Sequence, residues 1–170
     1  DPYPLSVSDI GAEPQSQDIL IAGMFDRTNF LDLIQNFTVF EPVDGRTIKK
    51  IARYQQFRAV HKSIERIKSG TDRKSKSGVI WHTQGSGKSL TMVFLTLKIR
   101  RDEALRDYKL VFITDRTQLD NQLTATFQNT QNETVHHADS IRDLKDLLQK
   151  DSSDIVMAMV QKFQERSEEL

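Results

Sequence analysis

The chain is 170 residues long and contains no cysteine, which excludes disulfides and thiolate metal centres and suits a reducing compartment. Its apolar residues amount to 37%, below the usual share of a complete globular domain, and the length allows a single core, as expected of one piece of a larger assembly. Twenty-four lysines and arginines balance 24 acids, so net charge favours no partner, and the longest purely apolar run, Ile155–Val160, is too short to span a membrane.

The charge balance is uneven along the sequence. Residues 1–45 carry eight acids against Arg27 alone, whereas residues 46–76 carry eleven bases against Glu65 and Asp72. The second block reads either as a patch for a polyanion or as a solvated basic helix. The chain opens on Asp-Pro-Tyr-Pro, without an initiator Met or the order of a secretory leader, and is read as part of a longer cytoplasmic polypeptide.

In chain order, the proline-rich residues 1–18 read as an irregular linker, and the apolar spacing from Asp18 to Asn36 predicts one or two short helices. Phe37–Phe40 alternates like a short strand that stops at Pro42, Asp44 and Gly45. Residues 1–45 are thus a helical and irregular lead-in from an upstream domain, and 46–170 form the next unit. Ile48, Ile51, Phe57, Val60, Ile64 and Ile67 recur at helical spacing, predicting a long amphipathic helix over Thr47–Ser69. After a basic loop over Thr71–Ser77, strands are expected at Val79–Trp81, Leu110–Thr114 and Ile155–Val160. Helices are expected at Lys88–Leu105, Thr117–Gln128, Ser140–Gln149 and from Gln161. Strand and helix alternating in this way predict an α/β fold, a parallel sheet flanked by helices. Trp81 is expected in the core. His136 and His137, being adjacent, point apart on any regular element, so the pair reads as loop residues rather than metal ligands. The mixed charges of Asp143–Lys150 read as a solvated helix face.

The sharpest local signal is Val79-Ile80-Trp81-His82-Thr83-Gln84-Gly85-Ser86-Gly87-Lys88-Ser89, an apolar strand passing through a glycine loop into a helix. Gly85 and Gly87 let successive amides of Thr83–Ser89 converge on phosphate oxygens at a helix N-terminus. Lys88 is then placed to reach the outer phosphates, and the Ser89 hydroxyl to hold Mg²⁺. The strict pattern has glycine where this chain has His82; that side chain either packs beside the loop or touches nucleotide. Upstream, Arg53, Gln56 and Ala59 share a helix face. A glutamine amide offers the donor and acceptor set of the adenine edge, with Gln55 the second candidate. Asp115 closes the Leu110–Thr114 strand either as a metal-orienting acid or as a helix cap, while Arg116 and Gln122 on the next helix suit nucleic-acid phosphates. Lys162, after the Ile155–Val160 strand, sits at a sheet edge where ligands bind.

Ala52-Arg53-Tyr54-Gln55-Gln56, Trp81-His82-Thr83-Gln84-Gly85-Ser86-Gly87-Lys88-Ser89, Thr114-Asp115-Arg116 and Val160-Gln161-Lys162-Phe163 together resemble the motor subunit of type I restriction enzymes, superfamily 2 helicase-like translocases, over roughly residues 25–165. The resemblance implies part of a RecA-like P-loop NTPase lobe, ending before its acidic metal-binding box, in an ATP-dependent DNA-translocating endonuclease. It implies ATP and Mg²⁺ as cofactors, and His82 as usual for such a loop. Arg53 and Gln56 become the adenine-reading motif, Gly85–Ser89 the first motor motif, and Arg116, Gln122 and Lys162 contacts to DNA. Double-stranded DNA and the modification and specificity subunits are the implied partners, and the chain alone is expected not to hydrolyse ATP. Two other readings stay open: a small complete P-loop kinase or NTPase with Asp115 as its metal acid, and a non-enzymatic nucleic-acid-binding module built on the basic block.

Overall fold

The computed structural model describes residues 10–43, 45–115, 124, 127 and 134–160. Two helices, α1 (Ser16–Phe25) and α2 (Arg27–Asn36), open the fold. Asp26 separates them because its carboxylate accepts the Thr28 and Asn29 amides, each at 3.0 Å, and so caps α2. The chain then folds into an antiparallel hairpin, β1 (Thr38–Val43) with β2 (Arg46–Ile51), in a six-pair register from Thr38 opposite Ile51 to Val43 opposite Arg46. Gly45 takes φ +75° in the connection.

The hairpin corrects one expectation. The predicted helix over Thr47–Ser69 begins only at Tyr54, and its first residues are the strand β2. Ile48 and Ile51 fit a helical period, but each residue of β2 lies opposite a partner in β1, and pairing overrides the local pattern. The helix proper, α3 (Tyr54–Ser69), buries Gln56, Phe57, Val60 and Ile64, and a short turn of helix, α4 (Arg73–Lys76), follows.

The next helix, α5 (Lys88–Arg101), presents Val93, Phe94 and Leu97 to the core. Beyond it β3 (Leu110–Thr114), β4 (Val135–Ala138), α6 (Ile141–Gln149) and β5 (Ile155–Met159) complete the described chain. The three strands form one parallel sheet in the order β3-β5-β4. The central strand β5 is apolar throughout because both its faces are covered. Ile155 and Met157 join the core with Phe94, Val93 and Phe127, and Val156 and Ala158 pack on the opposite face with Ala138, Leu144 and Leu147. Helices thus cover both faces of a parallel sheet, the α/β arrangement expected. The side of α6 away from the sheet carries the mixed charges.

Leu33, Phe37 and Val39, which precede residue 45, are part of this core. Phe37, fully buried, lies with its ring centroid 4.6 Å from that of Phe57 and 5.6 Å from that of Phe94, and Leu33 and Val39 belong to the same cluster. A polar contact pins the same three elements. Asp32 on α2 meets His61 Nε2 of α3 at 2.8 Å and Lys98 Nζ of α5 at 2.5 Å. Burial alone raises the Asp32 carboxyl, but hydrogen bonds from His61, Asn36 and Lys98 and the charge of Lys98 outweigh it and hold the group at about 2.

Two further expectations are corrected. Val79–Trp81 is not a strand among the described residues, since no described strand runs beside it to supply a ladder, and Trp81 is 89% exposed rather than in the core. His136 and His137 lie on β4 and not in a loop, opposite Val156 and Met157 of β5. Alternation along the strand sends them to different partners, His136 to Asp154 at 3.1 Å and His137 to Thr124 at 3.2 Å. The predicted helices over Thr117–Gln128 and from Gln161 fall largely or wholly outside the described residues.

Candidate nucleotide-binding site

The loop from His82 to Gly87 joins segment 77–81, which has no regular secondary structure, to the first turn of α5. Gly85 and Gly87 both adopt left-handed φ, +76° and +84°, which an L side chain enters only with strain. The two glycines let the chain reverse within the width of the loop and hand its backbone directly to the helix, with Gly87 as the N-cap. A Cβ at Gly85 meets nothing within 4 Å, so that position faces open space and its glycine is required by φ alone.

Internal hydrogen bonds hold the loop in a tight curl. Ser86 donates to the Thr83 carbonyl through its amide at 3.3 Å and its hydroxyl at 2.7 Å. The Lys88 ammonium turns back over the loop and donates to the carbonyls of His82 and Thr83 at 3.0 and 2.9 Å. Thr83, Gln84, Gly85 and Lys88 are exposed, and Ser86, Gly87 and Ser89 are half-buried. His82 takes part through its backbone carbonyl.

The donor set suits a polyphosphate. A left-handed glycine curl, an exposed ammonium and the unpaired amides at the start of a fourteen-residue helix are the elements that bind phosphate oxygens. Ser89, in the first turn of α5, is the residue whose hydroxyl suits a hydrated Mg²⁺.

Arg53 borders the cleft beside this loop, and Gln56 contacts the loop itself. Gln56 is 3% exposed, its Oε1 accepts the Arg53 amide at 2.8 Å, and its Nε2 donates to the Gly87 carbonyl at 2.9 Å. The helix start claims one end of the side chain and the loop claims the other, so the edge expected to read adenine is occupied by the protein itself. Gln55, by contrast, is exposed and lines a cleft of about 1210 Å³ between α3 and the segment 78–83, together with Arg53, Tyr54, Arg58, Trp81 and Thr83. Arg58, Lys62, Arg66 and Lys76 also border it, with Glu65 as the acid, so the basic block of the sequence lines one wall of this cleft. Asp115 is an exposed residue at the bend after β3. Arg116, Gln122 and Lys162 lie outside the described residues.

Two features had no signal in the sequence: the reach of Gln56 to a carbonyl 31 positions away, and, elsewhere in the fold, the cluster of Asp32, His61 and Lys98. The first follows from the close approach of α3 and α5, and the second joins residues from three separate helices.

Among curated proteins the chain is similar to the HindI type I restriction enzyme endonuclease subunit of Haemophilus influenzae, 35% identical over 159 residues that make up 88% of this chain and 15% of the relative. A Methanocaldococcus jannaschii protein named as the type I restriction enzyme MjaIXP endonuclease subunit is 36% identical over 91% of this chain and 15% of its own length. A Mycoplasma pneumoniae protein named as the C-terminal part of the MpnIIP endonuclease subunit is 30% identical over 75% of this chain and 63% of that sequence. The chain thus spans about 15% of the length of the first two relatives. The SWI2/SNF2 ATPase family model matches residues 55–170, from the start of α3 through the glycine loop and the parallel sheet. A curled glycine loop feeding a helix beside a parallel sheet is the architecture such a match calls for, and the chain belongs to the SWI2/SNF2 ATPase family as part of a RecA-like lobe.

Proposed function

We propose that this chain is the phosphate-binding part of the first motor lobe in an ATP-driven, DNA-translocating type I restriction endonuclease subunit. The observation that carries the reading is the pair of left-handed glycines, Gly85 and Gly87, in a loop that runs directly into the first turn of α5 and carries Lys88 at its end. The names of the similar proteins support the enzyme class, and the ATPase family supports the nucleotide.

In this reading ATP, bound with Mg²⁺, supplies the phosphoryl group passed to water, and the residues of this chain bind and orient it. Lys88 leaves the carbonyls of His82 and Thr83 for the outer phosphates, the amides of Thr83–Ser89 line the curl, and the Ser89 hydroxyl holds the metal. Arg53 borders the cleft that receives the base, and Gln56 stands behind the loop. Arg116, Gln122 and Lys162 contact the backbone of double-stranded DNA, and the modification and specificity subunits complete the complex in the cytoplasm. Among the described residues no helix is long and apolar enough to cross a membrane. The 170 residues include no Asp-Glu-Ala-His type box after β5, so the chain alone binds nucleotide and turns it over negligibly.

The test is calorimetric titration of MgATP into the chain and into Lys88→Ala, with phosphate release followed in parallel. Charge-assisted contacts of this kind contribute about 1.5–3 kcal/mol, so the variant should bind at least about tenfold more weakly. Equal affinity in both proteins, or brisk hydrolysis by the chain that Lys88→Ala abolishes, refutes the respective half of the reading.

A further inference from the structure

We propose that the second half of α3 and the end of α4 form a contact surface for the sugar–phosphate backbone of double-stranded DNA, built on Lys62, Arg66 and Lys76 with Arg58 beside them. The inference rests on the DNA-translocating reading above and adds to it a surface apart from the glycine loop.

Arg58, Lys62 and Arg66 stand four residues apart, so they share one side of α3, and that side lines the cleft. Lys76 is folded back onto the end of the helix: a Cβ at Gly70 would lie 2.6 Å from Lys76 Cγ and 3.0 Å from the Arg66 carbonyl oxygen. Cations of the same basic block elsewhere are neutralised within the protein. Lys50 of β2 pairs with Glu41, and Lys68 of α3 meets Asp102 Oδ2 at 2.8 Å. Lys62, Arg66 and Lys76 are exposed, and among the described residues none of the three has an ion-pair partner. Like charges four apart on a helix repel, so the row lowers stability unless an anion offsets it. On a concave surface their fields add and draw in an extended polyanion.

The dimensions favour a DNA backbone over a small anion. Arg58 to Arg66 covers about 12 Å along the helix axis, and duplex DNA carries one charge per about 1.7 Å of its own axis. The row therefore meets several phosphates at once. Ser63 and Ser69 add hydroxyls, and among the described residues this end of the cleft holds no amide side chain to read a base edge. The contact is independent of sequence, as a motor that moves along DNA requires. Tyr54, at the nucleotide end of the cleft, is about 18 Å from Arg66 along α3, so the two ligands occupy different ends.

The test is the fluorescence anisotropy of a labelled DNA duplex, longer than the cleft and of arbitrary sequence, titrated with the full chain between about 50 and 200 mM salt. The double variant Lys62→Gln, Arg66→Gln keeps most of each side-chain stem and removes two charges from the cleft. The control, Lys49→Gln with Lys68→Gln, removes two charges outside it. The cleft variant should bind at least about tenfold more weakly, whatever the sequence, and its slope of log affinity against log salt should be shallower by about 2. The control should stay within about threefold of wild type, since exposed charges beyond a Debye length are screened. A cleft variant that matches the control overturns the surface and leaves the DNA reading to Arg116, Gln122 and Lys162. One that loses MgATP affinity by the same factor assigns these cations to the nucleotide and overturns it as well. Tighter binding of the matching single strand overturns the choice of duplex. A wild-type chain that binds no duplex removes the DNA reading and this surface with it. A second measurement needs no variant: duplex DNA should protect Lys62 and Lys76, but not Lys49, from chemical acetylation read by mass spectrometry. Equal labelling with and without DNA overturns the surface.

Discussion

Replacing Asp32 by asparagine removes the one acid at the meeting point of α2, α3 and α5. Its carboxylate lies 2.8 Å from His61 Nε2 and 2.5 Å from Lys98 Nζ and accepts Asn36 Nδ2 at 2.5 Å, with the Asp32, His61 and Lys98 side chains 14%, 12% and 19% exposed. The carboxyl titrates at about 2 in the fold against an ordinary 3.8, a difference of about 1.8 units, worth about 2 kcal/mol at 1.36 kcal/mol per unit. Because the folded value is depressed, this stability is fully present above pH 4 and is lost as the pH falls toward 2. Asparagine also leaves Lys98, stacked 5.5 Å from the Phe37 ring centroid, without its counter-charge. Urea unfolding followed by circular dichroism at pH 7, 4 and 2.5 measures the effect. With a slope of about 2 kcal/mol/M, the Asp32→Asn midpoint should lie about 1 M below wild type at pH 7. The gap should then narrow between pH 4 and 2.5. A gap that is absent at pH 7, or as wide at pH 2.5 as at pH 7, refutes the assignment of this stability to the ion cluster.

Phe37→Ala should cost about 3–5 kcal/mol, measured by the same unfolding, because the ring is fully buried between Phe57 and Phe94; a loss below about 1 kcal/mol contradicts a core that includes residues before 45. Trp81 is the sole tryptophan and is 89% exposed, so its emission should match that of hydrated indole, quench readily with acrylamide and change little on unfolding in urea; a blue-shifted band that moves red on unfolding shows the residue to be covered.

What the sequence made legible, and what it hid, divides along the range of the deciding interaction. The glycine curl, α5, β3, α6 and β5 follow from local patterns: Gly85 and Gly87 mark the reversal, Ser140 caps α6 by accepting the Asp143 amide at 3.1 Å, and Ile155–Met159 is apolar without interruption because it runs through the centre of the sheet. The failures come where a distant partner decides. Thr47–Ile51 carries isoleucines three apart and reads as helix until β1 pairs with it. Val79–Trp81 reads as strand, yet an apolar run becomes one only when another strand lies alongside. The contact of Gln56 Nε2 to the Gly87 carbonyl depends on where α5 starts, and no feature of residues 53–59 encodes that.

The loop is tethered from two sides, and the tethers differ in what can replace them. Gln56 holds the Gly87 carbonyl from the α3 side, a neutral hydrogen bond from a buried side chain. Lys88 holds the carbonyls of His82 and Thr83 from the open side, and its side chain is exposed. An arriving phosphate offers the ammonium full negative charge in place of two carbonyl dipoles, a stronger partner in the same place. In the proposed reading, exchange at Lys88 opens the curl to phosphate while the first turn of α5 keeps its place, so the helix N-terminus proposed to bind the anion is in position before the anion arrives.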